Sequence, residues 1–179
     1  MHAQAPSAPA PRPPRDRSMP RVDAVWASEG FQVRYRRIRD AERSRPYCGH
    51  GLDHLLDVAR LMWVRVLEDG FGLDRELVYA TALLHDIGRA EEYLSGEPHD
   101  TAGARAAREI LESLPECARF PPADVDAICA AVRAHRSAGG GPLAELLRAC
   151  DRLSRECLDC PSRAACKWPD GKKNLTIRG

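Results

Sequence analysis

From Leu77 to Leu84 the apolar residues Leu77, Val78, Ala80, Ala82, Leu83 and Leu84 fall on every side of a helix turned at about 100° per residue. A segment without a wet face belongs in the middle of a core, and the flanking segments read as the shell around it. In Asp53 to Glu68 the polar residues Asp53, Asp57, Arg60 and Glu68 occupy one narrow arc, while Leu55, Leu56, Ala59, Met62, Trp63 and Val66 cover most of the remainder. His54 lies outside that polar arc, in line with Val58 and Leu61 at i, i+4 and i+7. Gly70 and Gly72 end this helix, Asp74 is a natural N-cap for the central one, and Gly88 is expected to close the central helix in a left-handed conformation.

Upstream, Asp23 to Glu42 is helical in pattern, with Phe31, Tyr35 and Ile38 on one face and Gly30 as the expected break. Arg34, Arg36, Arg37 and Arg39 are its solvated side. Downstream of Arg89 the pattern predicts a loop to His99, then a helix capped by Asp100 and running to about Ser113, ended by Pro115. Its small residues, Ala102-Gly103-Ala104 and Ala106-Ala107, allow close approach to neighbours. Pro121-Pro122 opens a helix whose stripe Val125, Ile128, Cys129 and Val132 continues onto His135. After the Gly139–Gly141 turn, Pro142 starts a last helix with the stripe Leu143, Leu146, Leu147, Cys150 and Leu153, and Asp151 on its flank. No strand-like alternation of useful length appears, so the expected fold class is all-α, a bundle of about six helices.

Length and charge narrow the function. The 179 residues make one domain, and a net charge of +1 with 30% charged residues supplies no single-sign field for nucleic acid or an anionic membrane. Seven cysteines and no secretory apolar region favour a reducing, cytoplasmic setting, and no apolar run approaches the ~20 residues of a membrane span. Residues 1–20 hold six prolines and no large apolar residue but Met19, the pattern of a disordered extension in which Met19 is an alternative start. The expected division is this extension, a helical domain over 21–156 and a cysteine-containing tail over 157–179.

The chemistry begins at His85-Asp86, an imidazole and a carboxylate at the end of the all-apolar helix. An unpaired buried carboxylate costs several kcal/mol, so the pair needs a partner, and a metal ion is the simplest one for both groups. His85-Asp86-Ile87-Gly88 resembles the signature of the HD superfamily of metal-dependent phosphohydrolases. That family's pattern has a His on one helix, the His-Asp pair on the next and a further Asp on a late helix. The resemblance implies that His54, His85, Asp86 and Asp151 hold one divalent ion of the Fe, Mn, Co, Ni or Zn type. It further implies, from the six-ligand, two-metal form of the pattern, that His99 and His135 hold a second ion and that Asp86 bridges the two. His2 and His50 fall outside this pattern. Singly, His54 or His135 reads as a core histidine, His99 as a loop residue and Asp151 as the partner of an arginine such as Arg60. What argues for ligands is four His and two Asp from five segments falling in the family's order.

The implied reaction is phosphoryl transfer to water on a small phosphorylated metabolite or nucleotide, with Asp86 and Arg89 as the catalytic candidates. Arg89 is placed either to hold a phosphate oxygen or to answer a helix dipole. Two rivals keep the same residues: a mixed-valence di-iron oxygenase of the HD type, and a non-catalytic module that senses nucleotide or redox state.

Cys157-x-x-Cys160 followed by Cys166 puts three thiols in ten residues, one short of a closed site. If Asp151 and His54 meet on antiparallel helices, six residues forward from one and six back from the other move ~9 Å in the same direction. Those steps land on Cys157 and Cys48. Cys48, Cys157, Cys160 and Cys166 are therefore the candidate ligands of a structural Zn or an iron-sulfur cluster.

Overall fold

A computed structural model describes residues 18–137 and 139–177. Among them it places eight α-helices, two 3-10 turns and no strand: α1 (Pro20–Ala27), α2 (Glu29–Ala41), α3 (Leu52–Asp69), α4 (Arg75–Leu84), α5 (Arg89–Ser95), α6 (His99–Glu112), α7 (Pro122–Ala134) and α8 (Gly141–Leu153). The Pro-rich extension lies outside the described residues except at 18–20, where Pro20 already opens α1 and the Ser18 carbonyl accepts a bond from Arg75.

The all-apolar segment sits where its pattern puts it. Asp74 caps α4 by accepting from the backbone N–H of Glu76 and Leu77, and the helix then packs against α1, α3, α7 and α8. Val78, Ala80, Ala82 and Leu84 are fully buried, and each large apolar side chain so enclosed contributes about 1.5–3 kcal/mol. Around it α3 lies on α8, α7 on α8 and on α6, and α5 on α2 and α6. No helix among the described residues is long and apolar enough to cross a membrane.

There are more helices than the pattern indicated, for two local reasons. The first segment breaks at Ser28, not at Gly30: Ser28 leaves the helical backbone and accepts from Phe31 N–H as the cap of α2, with Trp26, Phe31 and Tyr35 packed across the corner. Gly30 lies inside α2 against Ile110 of α6. Second, the stretch expected as a loop after Arg89 begins with α5, which ends at Gly96 in the left-handed conformation. Asp100 is not a cap, since α6 starts one residue earlier at His99, with Pro98 before it.

Gly88 also departs from expectation. Its φ of −71° and ψ of −8° are ordinary right-handed values, so the turn between α4 and α5 does not require glycine for its backbone. It requires glycine for space, because a Cβ there would sit less than 3.0 Å from the His99 carbonyl oxygen and from the backbone of Gly103 on α6. Two glycines thus let the His-Asp turn touch the first turns of α6. Gly88→Ala is expected to destabilise the fold by about 3 kcal/mol through this overpacking, whereas Gly72→Ala, which meets no atom within 4 Å, costs about 1 kcal/mol through its positive φ; thermal or urea unfolding of the two variants measures the difference.

Candidate metal centre

Two histidines are set by the same local device. His85 and His135 each follow the last residue of a helix, α4 and α7, and keep near-helical backbone angles. Each lies close to the carbonyl three residues back, His85 Nδ1 at 2.7 Å from Ala82 O and His135 Nδ1 at 2.6 Å from Val132 O. A carbonyl only accepts, so Nδ1 carries the hydrogen, one free carbonyl at each helix end is satisfied, and Nε2 keeps its lone pair. The other two reach that state by side-chain partners. His99 Nδ1 donates to Glu92 Oε2 at 2.9 Å. Ser154 Oγ gives its hydrogen to Asp151 O and therefore accepts from His54 Nδ1, 3.2 Å away.

The four Nε2 atoms then face one another in two pairs. His54 Nε2 is 3.4 Å from His85 Nε2, and His99 Nε2 is 3.3 Å from His135 Nε2. Two imidazoles aimed lone pair to lone pair repel unless a proton or a metal cation lies between them. Two nitrogens bound about 2.1 Å from one ion at angles of about 90–110° are themselves about 3.0–3.4 Å apart, which is the spacing observed. Carboxylates complete each pair: Asp151 Oδ1 lies 3.6 Å from His54 Nε2 and 3.9 Å from His85 Nε2. Asp86 serves both, with Oδ2 at 3.1 Å from His85 and 3.6 Å from His54, and Oδ1 at 3.6 Å from His99 and 4.0 Å from His135. His54, His85 and Asp151 form one trio whose donor atoms lie within 4.8 Å of one another, and Asp86, His99 and His135 form another. By donor type, orientation and spacing the residues fit two divalent ions spanned by one carboxylate.

The electrostatics agree. Burial alone would raise the Asp86 pKa, but the charge on His85 and the Arg89 guanidinium outweigh it and hold the carboxyl well below its usual range. Burial disfavours charge on His85 as well, yet Asp86 and, farther off, Asp151 raise it to about 9. Positive charge is thus favoured next to His85 Nε2. His135 is pushed down to about 4 by burial and by the charge on His85, and His99 is lowered by burial and by Arg89.

Residues 51–156 match the HD domain family. The chain belongs to it. Over 89% of its length this HD protein is 33% identical to an uncharacterized protein of Clostridium beijerinckii, covering 99% of that relative. The crystal structure of a predicted HD superfamily hydrolase from an uncultured Thermotogales bacterium shares the fold, with a TM-score of 0.57 and 22% identity over 81% of this chain and 82% of that one.

All six residues matched to the HD pattern come together. Asp151 does not answer Arg60, which pairs with Asp57 on the outer face of α3. Arg89 opens α5, where the helix dipole disfavours a cation, and it is held by Asp86 through Nε at 2.8 Å. The four candidate cysteines line one small cavity beside the HD centre.

His50 is the residue that reasoning from sequence left out. It is buried, its Nε2 is 3.7 Å from Asp86 Oδ2, and Glu42 holds it through both Nδ1 and the backbone N–H. Glu42 also accepts from Tyr93 at 2.5 Å, and these bonds outweigh its burial and lower its pKa to about 2. The available signal was spacing: His50 stands four residues before His54, but outside the helix on which phase was read.

Elemental analysis of purified protein is expected to find transition metal that is lost in His85→Ala and Asp86→Asn with helical circular dichroism retained, and kept in Asp126→Ala on the outer face of α7. His50→Ala is expected to lower metal affinity by about 10–100-fold, the usual effect of removing a group that orients a ligand, measured by competition with a chelating dye.

Proposed function

We propose that this HD protein is a metal-dependent phosphohydrolase that cleaves a phosphate ester or anhydride of a small metabolite or nucleotide. The supporting observation is the cleft above the two trios. Its volume is about 880 Å³, and Arg45, Arg89, Arg136, Arg148, Arg155 and Lys167 are in its wall together with His54, His99, His135 and Asp151. A site of that size is right for a small ligand, and its cations, which share the wall with Asp53, Asp57, Glu92, Glu156 and Asp159, would act together with the metal ions of the two trios in favouring a phosphorylated ligand.

Bound divalent ions supply the Lewis acidity that activates water and offsets charge on the phosphoryl oxygens. The chain's residues do the rest. Asp86 holds the two halves of the centre in fixed relation, Arg89 steadies Asp86 from the cleft side, and the Nδ1 bonds of His54, His85, His99 and His135 keep the ring faces from turning. Arg136, 3.9 Å from Glu92, and Arg148, which donates to the Ser137 carbonyl, also line the cleft and would add positive charge for a phosphate. Glu92, beside His99, and Tyr93, bonded to Glu42, bring α5 into the wall, so α5 is the natural place for substrate selection.

A panel of phosphate monoesters and nucleotides, assayed with Mn, Co, Fe or Zn by released inorganic phosphate, tests the reading. Turnover that a chelator abolishes and added metal restores is the expected result, with Arg89→Ala lowering kcat/KM by about 100-fold. An iron-dependent, oxygen-consuming reaction without phosphate release overturns it in favour of the oxygenase, and tight nucleotide binding without turnover under any metal overturns it in favour of a sensing module.

A further inference from the structure

The tail beyond α8 is fastened to the loop before α3 by contacts that do not involve sulfur. Ser162 Oγ donates to the Pro46 carbonyl, Tyr47 Oη lies 3.5 Å from the Ala165 carbonyl, and the Asn174 amide donates to the carbonyls of Arg152, Leu153 and Arg155 at 2.7, 3.1 and 3.0 Å. Those last three bonds cap the end of α8 with a residue about twenty positions farther along the chain. The Arg155 guanidinium and the Lys172 ammonium each lie over the Trp168 ring, 4.9 and 5.5 Å from its centroid.

At the junction of these two segments Cys48, Cys157, Cys160 and Cys166, all free thiols, line one cavity of about 20 Å³. Arg155, Arg163, Lys172 and Lys173 line it too. Arg155 and Lys172 lie over the Trp168 ring, Lys173 pairs with Asp170 at 2.9 Å, and Arg163 donates to the Leu158 carbonyl. Their positive charge also favours thiolates in the cavity, because four thiolates around a core of charge +2 leave a net charge of −2 in need of compensation.

The geometry points to an iron-sulfur cluster ligated by Cys48, Cys157, Cys160 and Cys166, which clasps the tail to the α3 loop and makes it a wall of the HD cleft. A single zinc draws its four sulfurs to about 3.8 Å from one another, given bonds of about 2.3 Å. Among the described residues, the trios with donor atoms within 4.8 Å of one another are those of the His–Asp centre and include none of these thiols. The thiols are thus spread more widely than one zinc holds its sulfurs, as the corners of a multi-atom cluster require, and Pro161 follows Cys160 as proline follows a ligand in iron-sulfur sequences. Cys48, Cys160, Lys167 and Trp168 also face the large cleft, so the clasp fixes part of its lining.

The test uses the full chain, purified anaerobically and reconstituted with ferrous iron and sulfide. Acid-labile sulfide with visible charge-transfer absorption, and iron exceeding the sulfide by what the His–Asp centre holds, are expected in the wild type and in Cys117→Ser, and the sulfide and the absorption are expected to be lost in Cys160→Ser and Cys48→Ser. Circular dichroism of each variant checks that the bundle is intact, and two variants on separate segments guard against a local folding defect in either. Sulfide must persist in Asp86→Asn, which empties the His–Asp centre of iron, so that failure of the cluster and failure of the phosphohydrolase reading are read separately. Trypsin should cleave the tail at least about tenfold faster in Cys160→Ser than in wild type. One zinc per chain without sulfide after this treatment, sulfide indifferent to the cysteine substitutions, or unchanged tail protection overturns the proposal.

Discussion

A carboxylate enclosed by protein, with ligand-type groups at both oxygens, is the constraint around which this molecule is arranged. Asp86 is 3% exposed, and a charge so buried persists only where it is paired on every side. One oxygen faces His85, His54 and His50, the other Arg89, His99 and His135. Satisfying it requires elements from most of the chain to end at one point. The C-terminal ends of α4 and α7 deliver His85 and His135, the N-terminal turns of α3 and α6 deliver His54 and His99, and α8 brings Asp151 near its last turn.

That arrangement of helix ends is itself electrostatic. The C-terminal ends of α4 and α7 carry partial negative charge and favour a cation beside His85 and His135. The N-terminal ends of α3 and α6 carry partial positive charge and favour anions, whether the Asp86 carboxylate or a phosphate in the cleft. The bonds that fix each Nδ1 then leave little orientational freedom, so the donor positions are formed before any ligand arrives.

Much of this was legible in the sequence because the period of a helix reports which side faces inward. The all-apolar run before His85, the phase of His54 on α3 and the stripe leading to His135 placed three donors, and the HD pattern supplied His99 and Asp151, whose phase says less. His50 was missed because it precedes α3 in a short Gly49-His50-Gly51 segment, where no helical phase applies and only the side-chain bonds to Glu42 set its direction. Gly88 was read from its local conformational preference, but its role depends on α6, fifteen residues away at Gly103, and a tertiary approach of that kind leaves no local mark. The helix α5 was read as loop because its seven residues are too short for a periodic signal and its polar face is turned to the cleft.

The contact between Gly88 and Gly103 has a bearing on how such a centre can change over evolution. Main chain meets main chain there, so the gap between the two halves of the site is a dimension of the skeleton and not of any side chain. Exchanging individual donors can alter which element is preferred in each half, while the separation between the halves stays constant unless a glycine is lost.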